Sequence, residues 1–384
     1  GGEGGGCGRG GGVAEGGAGG WGGGFVHCTI DLSLRCDPAQ SFTGEQRVTL
    51  PPIGILATGT YIPAPRMTGA EIAAASGLPR AVVEEKLGIL EKPVPGPHDH
   101  PCQMGAWAAE RALAKAGVSA LDVDAIISIS EEHKERPLMV SGIKIQQLIG
   151  ARNAWAVDVA QRCCTTLAAL KLAKGLMQSD PALRTVLLAG GYRNGDLIDF
   201  TNPRVSFMYN LAAAGGALLL RRGHERNALL GSSLISDGDF ADDVNVPAGG
   251  TVRPLRPEDV GTGAAMLEVN DVEGMKARLA ERSHANFMRV IREAVERSGA
   301  AVGDVGYLAL LHMKRSAHHA TLAELGLAER QSYYLERYGH IGQLDPILSV
   351  ELAEQDGRLR GGALVVMASA GVSYAWGAQA VRWG

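Results

Sequence analysis

The chain contains its own plan twice. From Arg111 to Val159 it matches Glu293 to Ile341 in character at a constant offset of 182 residues, with no gap needed. Gly117 falls on Gly299, Asp122 on Asp304, Val123 on Val305 and Ile126 on Leu308, so a helix, a loop and an apolar strand recur in the same order. Repeats of about 20–50 residues build solenoids, whereas a repeat this long implies two similar layered subdomains packed about a pseudo-two-fold axis. The same register sets Ser130 against His312, Asp158 against His340 and Cys163 against Asp345. Like ends of a duplicated fold then converge on one centre, and the chemistry is expected there.

With 384 residues, 46% of them hydrophobic and 20% charged, the chain can bury one large core or two fused ones. A net charge of −4 without a long basic run argues against a nucleic-acid partner, which would require clustered Lys and Arg. A small molecule or an acidic carrier read by a local patch fits better. No uninterrupted apolar run approaches the roughly 18 residues of a membrane span. Cys7, Cys28, Cys36, Cys102, Cys163 and Cys164 show neither a disulfide framework nor a CxxC pair, which suits a reducing cytoplasm.

Residues 1–24 are dominated by glycine and hold too few apolar side chains to offset the entropy of ordering, so residues 1–52 are read as a Gly-rich, disordered N-terminal extension. It lacks the charged start, apolar stretch and cleavage site of a signal peptide. The core is expected to begin near Ile53 with a strand to Thr58. Met104 to Ala116 has helical spacing and ends at Gly117, suited to a C-terminal cap. Strands are expected at Ala125–Ser130, Ala154–Ala160 and Thr185–Gly190, with a helix at Thr165–Gln178. The alternation is α/β. Arg221 to Arg226 reads as the joint between an N-terminal half, 53–225, and a C-terminal half, 226–384, the latter with strands at Tyr307–Leu311 and Ala363–Ala368 and a helix after Asp345. Asp237 to Pro257 is acidic and Gly/Pro-rich, a surface or active-site loop.

Cys163 stands directly after a strand and before a helix, where unpaired amide N–H groups and the helix dipole favour a thiolate. That is a nucleophile's position, although buried cysteine also serves as a small hydrophobe. His312 lies at the C-terminal end of a strand, where ligands gather in open α/β sheets, and could act as base or hydrogen-bond donor to a cysteine acyl-transfer site. His340 occupies a third equivalent strand end. Asp345, followed by proline, reads as a helix N-cap or as the carboxylate that orients a catalytic histidine; both hold only if one oxygen caps and the other points inward. His98-Asp-His-Pro-Cys102 supplies too few ligands for zinc, and Pro101 is better read as a helix start with His100 at its cap. Glu131 to Arg136 is a charged, solvated loop that by register follows a strand end near the site. Ala212–Gly216 lacks the nucleotide-binding glycine patterns. No metal and no cofactor is expected.

Over roughly residues 53–384 the chain resembles ketoacyl-ACP synthase III and its thiolase-fold relatives. Ile55–Pro63 is similar to that family's opening strand, Asp158-Val-Ala-Gln-Arg-Cys163 to its nucleophile motif, and Trp376–Trp383 to its closing strand. The resemblance implies a thiolase-like, five-layered αβαβα sandwich of two duplicated halves, a homodimer, and a cysteine that takes an acyl group from acyl-CoA or acyl carrier protein. It sets His312 on the family's histidine, in Leu311-His-Met-Lys-Arg315, and His340 where asparagine is usual. A Cys-His-His set occurs in elongating ketosynthases of the same superfamily. By the same resemblance the backbone of Cys163 and of the turn Gly371, Val372, Ser373 forms the oxyanion hole, and Lys314 and Arg315 are candidate donor or carrier contacts.

The reading that follows is a ketosynthase III-like enzyme of fatty-acid or polyketide type. Cys163 is acylated and passes the group on, first by decarboxylative Claisen condensation with a malonyl thioester. The alternative is transfer to a hydroxyl or amine acceptor, and a different class of reading is a non-catalytic partner subunit of a ketosynthase heterodimer.

Overall fold

Ile53–Tyr61 (β1), which opens the core, is buried along almost its whole length, as befits a strand covered on both faces. The computed structural model describes residues 50–384, so residues 1–49 of the Gly-rich extension lie outside the described residues. After β1 come β2 (Arg66–Thr68), α1 (Gly69–Ser76), β3 (Glu91–Pro93), α2 (Pro101–Ala116), β4 (Ala125–Ser128), α3 (Ser141–Ile149), β5 (Trp155–Asp158), α4 (Thr165–Ser179), β6 (Thr185–Tyr192) and β7 (Ala214–Arg222). The second half holds β8 (Ala228–Ser236), β9 (Val244–Asn245), β10 (Glu268–Val269), α5 (Val272–Glu296), β11 (Val305–Leu310), α6 (Arg315–Glu324), α7 (Asp345–Gln355), β12 (Leu364–Gly371) and β13 (Ala375–Arg382). Pro101 opens α2 with His100 as its N-cap residue, as expected from a missing N–H that costs nothing at a helix start.

The strand order shows the duplication. The first half runs β5-β4-β6-β7-β1 and the second β11-β12-β13-β8, with β4 parallel to both neighbours and β11 parallel to β12. The two sets meet where Gly54 pairs with Ala228. Helices α4 and α7 lie between them, since each packs on strands of both halves, while α2 and α3 cover the outer face of the first sheet and α5 that of the second. This is the thiolase-like αβαβα sandwich. The central helices are buried nearly all round from Thr165 to Leu170 and from Asp345 to Val350, the pattern of a helix with protein on every side. Each buried Leu, Ile or Val there contributes about 1.5–3 kcal/mol through area removed from water. Among the described residues no helix is long and apolar enough to cross a membrane.

The repeat register needs one correction. The offset of 182 holds at the left-handed caps Gly117 and Gly299 and at the single turns Ala120–Asp122 and Val302–Asp304. It then falls to 180, because the second half has two residues fewer before its central helix. Arg162 therefore matches Gly342, Cys163 matches Gln343, and Thr165 matches Asp345. Cys163 and Asp345 are not equivalent positions. The expected joint at 221–226 is a tight return from β7 through Gly223 into β8. The loop of residues 237–257 carries β9 and sends Val244, Asn245 and Val246 onto the wall of the main cavity.

Candidate functional site

After β5 the chain turns sharply. Asp158 does not reach the centre: its carboxylate accepts the amide N–H groups of Ser141 at 2.9 Å and Gly142 at 2.8 Å, capping α3, and pairs with Lys134 at 2.7 Å. Arg162 then adopts φ 49°, a left-handed conformation costly for a residue with a Cβ and typical of strained functional turns. The single turn Arg162–Cys164 feeds directly into α4, with the Gln161 amide donating to Thr165 Oγ1 at 2.7 Å. This geometry separates the two adjacent cysteines. Cys164 is fully buried against the carbonyls of Ser369 and Ala375, and burial pushes its thiol well above the ordinary range. Cys163 retains 8% exposure and lines a cavity.

His340 meets it there. Nε2 of His340 lies 3.0 Å from Cys163 Sγ, and Nδ1 lies 2.5 Å from Asp345 Oδ2. Burial alone would push His340 down, but the Asp345 carboxylate and the Cys163 sulfur beside it hold the imidazole well above its usual range. Asp345 is the first residue of α7 rather than its N-cap, which is Leu344. The N-cap reading is thereby overturned, and the contacts fit the other one, a carboxylate that orients a histidine. Oδ1 accepts the Ile341 amide at 2.8 Å, and Oδ2 takes His340 Nδ1 together with the His312 amide at 2.6 Å. Cysteine, imidazole and carboxylate thus form a continuous hydrogen-bonded chain with the order of a triad.

His312 sits on the same cavity but does not contact Cys163 through a hydrogen bond. Its Nε2–H donates to the Gly88 carbonyl at 3.0 Å, and Nδ1 accepts from Asn210 Nδ2 at 2.9 Å. That arrangement requires a neutral ring, in keeping with burial, which pushes His312 down to about 4. Asn210 also holds His340, accepting its amide N–H at 2.8 Å. Asn210 is placed in turn by Lys92, 1% exposed, whose ammonium donates to the carbonyls of Tyr209 at 2.8 Å and Leu211 at 2.6 Å on either side of it. Burial lowers Lys92 to about 7. Sequence reasoning missed Lys92, Asn210 and Gly88; a lone lysine on the short β3 strand gives no local signal of a buried ammonium.

The turn between β12 and β13 lies against the nucleophile. A Cβ on Gly371 would stand 2.9 Å from the Cys163 amide nitrogen, so only glycine lets the two backbones approach this closely. Val372 lines the cavity and Ser373 holds φ 85°. Lys314 is exposed on the cavity rim, whereas Arg315 pairs with Glu336 at 2.5 Å and stacks over the Tyr334 ring. The cavity measures about 970 Å³. Leu87, Ile89, Phe207, Met208, Leu267 and Leu279 give it apolar walls, and Glu131, Arg162 and Asn194 form a polar end.

Comparison with known proteins adds to this geometry. Residues 157–238 match the model of the family described as 3-oxoacyl-[acyl-carrier-protein (ACP)] synthase III, and residues 295–383 match that of its C-terminal part. A beta-ketoacyl-[acyl-carrier-protein] synthase III of Symbiobacterium thermophilum is 27% identical over 339 residues, covering 87% of this chain and 98% of that protein. Among solved structures, the corresponding synthase III of Thermus thermophilus superposes with a TM-score of 0.74 at 24% identity, over 86% of this chain and 99% of that one. The priming beta-ketosynthase of the R1128 polyketide pathway gives 0.76 at 20% identity, over 87% and 97%.

Proposed function

Because the chain belongs to the ketoacyl-ACP synthase III-like family of thiolase-fold enzymes, we propose that it carries an acyl group from a thioester to an acceptor through Cys163. The observation that supports this most is the relay Cys163–His340–Asp345, at 3.0 and 2.5 Å. His340 takes the thiol proton, oriented by Asp345, and Sγ attacks the carbonyl of acyl-CoA or acyl carrier protein. The oxyanion is met by backbone N–H groups of Cys163 and the Gly371–Ser373 turn, and the CoA or carrier thiol leaves. Lys314 on the rim serves the incoming donor, with Arg315 behind it.

In the second half-reaction the acyl group passes to a malonyl thioester. Loss of CO2 leaves an enolate, His312 and the imidazolium form of His340, re-protonated from solvent after the first thiol has left, donate to its oxygen, and carbon attack on the acyl carbon breaks the C–S bond with its electron pair on the Cys163 sulfur. One observation favours a second reading, transfer to a hydroxyl or amine: His312 already donates Nε2–H to Gly88 and must leave it before it can serve an enolate. His340 by itself suffices as base for a heteroatom acceptor. A homodimer is proposed through the edge strand β5, which exposes Trp155 and Val157 beside Leu138 and Ile143. The intact relay argues against a non-catalytic partner subunit.

Intact-protein mass spectrometry with an acyl-CoA panel tests the proposal. Acylation that disappears in Cys163→Ala and is discharged by malonyl-CoA with CO2 release supports condensation; acylation that resists malonate moves the reaction to heteroatom acceptors. A wild-type protein that no CoA or carrier donor acylates refutes the acyl-enzyme.

A further inference from the structure

The polar end of the cavity holds buried acceptor atoms that no hydrogen bond fills. Glu131 is 2% exposed, and neither carboxylate oxygen accepts a hydrogen bond. Asn194 Oδ1, on the same wall, is also buried without a partner. Arg162 hydrogen-bonds Glu132 at 2.5 Å and makes a longer ion pair with Glu131 at 3.6 Å, so one guanidinium serves two carboxylates, and Arg193 binds Asp196 at 2.6 Å. His133 lies 3.9 Å from Asp196. Glu131 and Glu132 thus share one guanidinium, which leaves this end of the cavity that also holds the nucleophile with one carboxylate more than Arg162 can neutralise. A buried carboxylate left this way costs several kcal/mol unless something arrives to pair with it. Burial, with Glu132 adding to it, pushes Glu131 up to about 7, so near neutrality it can take up and release a proton.

From this juxtaposition we infer that the Glu131 end of the cavity recognises the acceptor by an amino group, and that the acyl group leaves Cys163 onto nitrogen. A malonyl carboxylate is the less suitable occupant, because it would meet Glu131 as a like charge. The inference rests on the heteroatom reading of the site. The step balances without a further reactant. An ammonium passes one proton to Glu131, the free amine nitrogen bonds to the acyl carbon, the C–S bond breaks with its electron pair on sulfur, and the second proton leaves nitrogen for His340 and then the sulfur. Asn194 supplies a second hydrogen-bond acceptor, which sets the orientation of the nitrogen.

Charge-selective alkylation of Cys163 tests this without an acyl donor. The full-length protein is treated with 2-bromoethylamine, which carries an ammonium, and with iodoacetate, which carries a carboxylate. Each rate is divided by that of neutral iodoacetamide in the same variant. The expected result is a saturable preference for 2-bromoethylamine that falls about tenfold in Glu131→Gln, together with a melting temperature of the unliganded variant equal to or above that of the wild type. Ratios that do not change in Glu131→Gln and Glu131→Leu, or a wild-type preference for iodoacetate, would overturn the inference. If acyl-CoA never labels Cys163, the acyl-enzyme reading fails while the alkylation ratios still decide the role of Glu131. If Cys163 is acylated and the ratios are flat, the inference fails by itself.

Discussion

Two turns related by the internal duplication, Arg162–Cys164 and Gly342–Leu344, share a backbone and have opposite contents. Each enters a central helix from a residue at positive φ, 49° at Arg162 and 64° at Gly342. Each is closed by the first helical side chain reaching back four residues, Thr165 to the Gln161 amide and Asp345 to the Ile341 amide. The first turn presents Cys163 to the cavity. The second buries Gln343 completely, its amide nitrogen donating to the Ile129 carbonyl at 2.5 Å. The hydroxyl that closes the first turn does nothing further for the site, whereas the carboxylate that closes the second also holds His340 and His312. A duplicated fold has used one turn for the nucleophile and its copy for the groups that orient the base.

Moving the thiol is the strongest way to break the comparison. The double variant Cys163→Ala, Gln343→Cys is expected to lose acylation by roughly 10⁴-fold or more, since position 343 does not line the cavity; intact mass after acyl-CoA treatment reads it. Making the second turn copy the first is next. In Asp345→Thr the bond to the Ile341 amide survives but His340 loses its carboxylate, so the acylation rate should fall by roughly 10²–10⁴-fold while stability changes by about 2 kcal/mol or less. A rate within tenfold of wild type would reduce Asp345 to a closure of the turn at Ile341.

Acid titration reads the histidines that the second turn positions. Folded His312 is neutral down to about 4 while the unfolded chain binds a proton from about 6.5, so the unfolded state is favoured as pH falls between these values. The expected loss is about 3 kcal/mol for His312, and buried His318, also lowered to about 4, adds a loss of the same sign. Urea midpoints from pH 7 to 4 should therefore decline, with roughly half of the slope removed in His312→Asn. His340 works in the other direction: its raised value contributes stability below the ordinary imidazole range that is lost as pH rises through its folded value. The smallest effect is expected for Gln343→Leu. The Ile129 carbonyl loses a donor, but the unpartnered Gln343 Oε1 is also removed, leaving about 1 kcal/mol of destabilisation and acylation of Cys163 close to wild type. A large loss of acylation there would show that the two turns are coupled.

The sequence by itself determined the α/β alternation, the duplication and the central place of Cys163, because hydrophobic period, turn residues and a helix start leave local signatures. It also pointed Cys163, His312, His340 and Asp345 toward one centre, although through a register that set Cys163 on Asp345 and with an N-cap reading of Asp345 that the fold does not keep. Only the tertiary structure decided which histidine faces the thiol. His312 follows the strand Val305–Leu310, whereas His340, expected at a strand end, follows a turn and makes only an isolated bridge to Leu211, and nothing local distinguishes a ring held by Gly88 and Asn210 from one held between Asp345 and Cys163. It likewise decided that Cys163 corresponds to Gln343, since length differences in and on both sides of α3 and α6 that sum to two residues leave the periodicity of the elements intact. The burial of Lys92, and of a glutamate at the head of the charged run Glu131–Arg136, was not legible for the same reason. Burial belongs to the packing of distant elements, and a charged side chain in a loop carries the same local signal whether water or protein surrounds it.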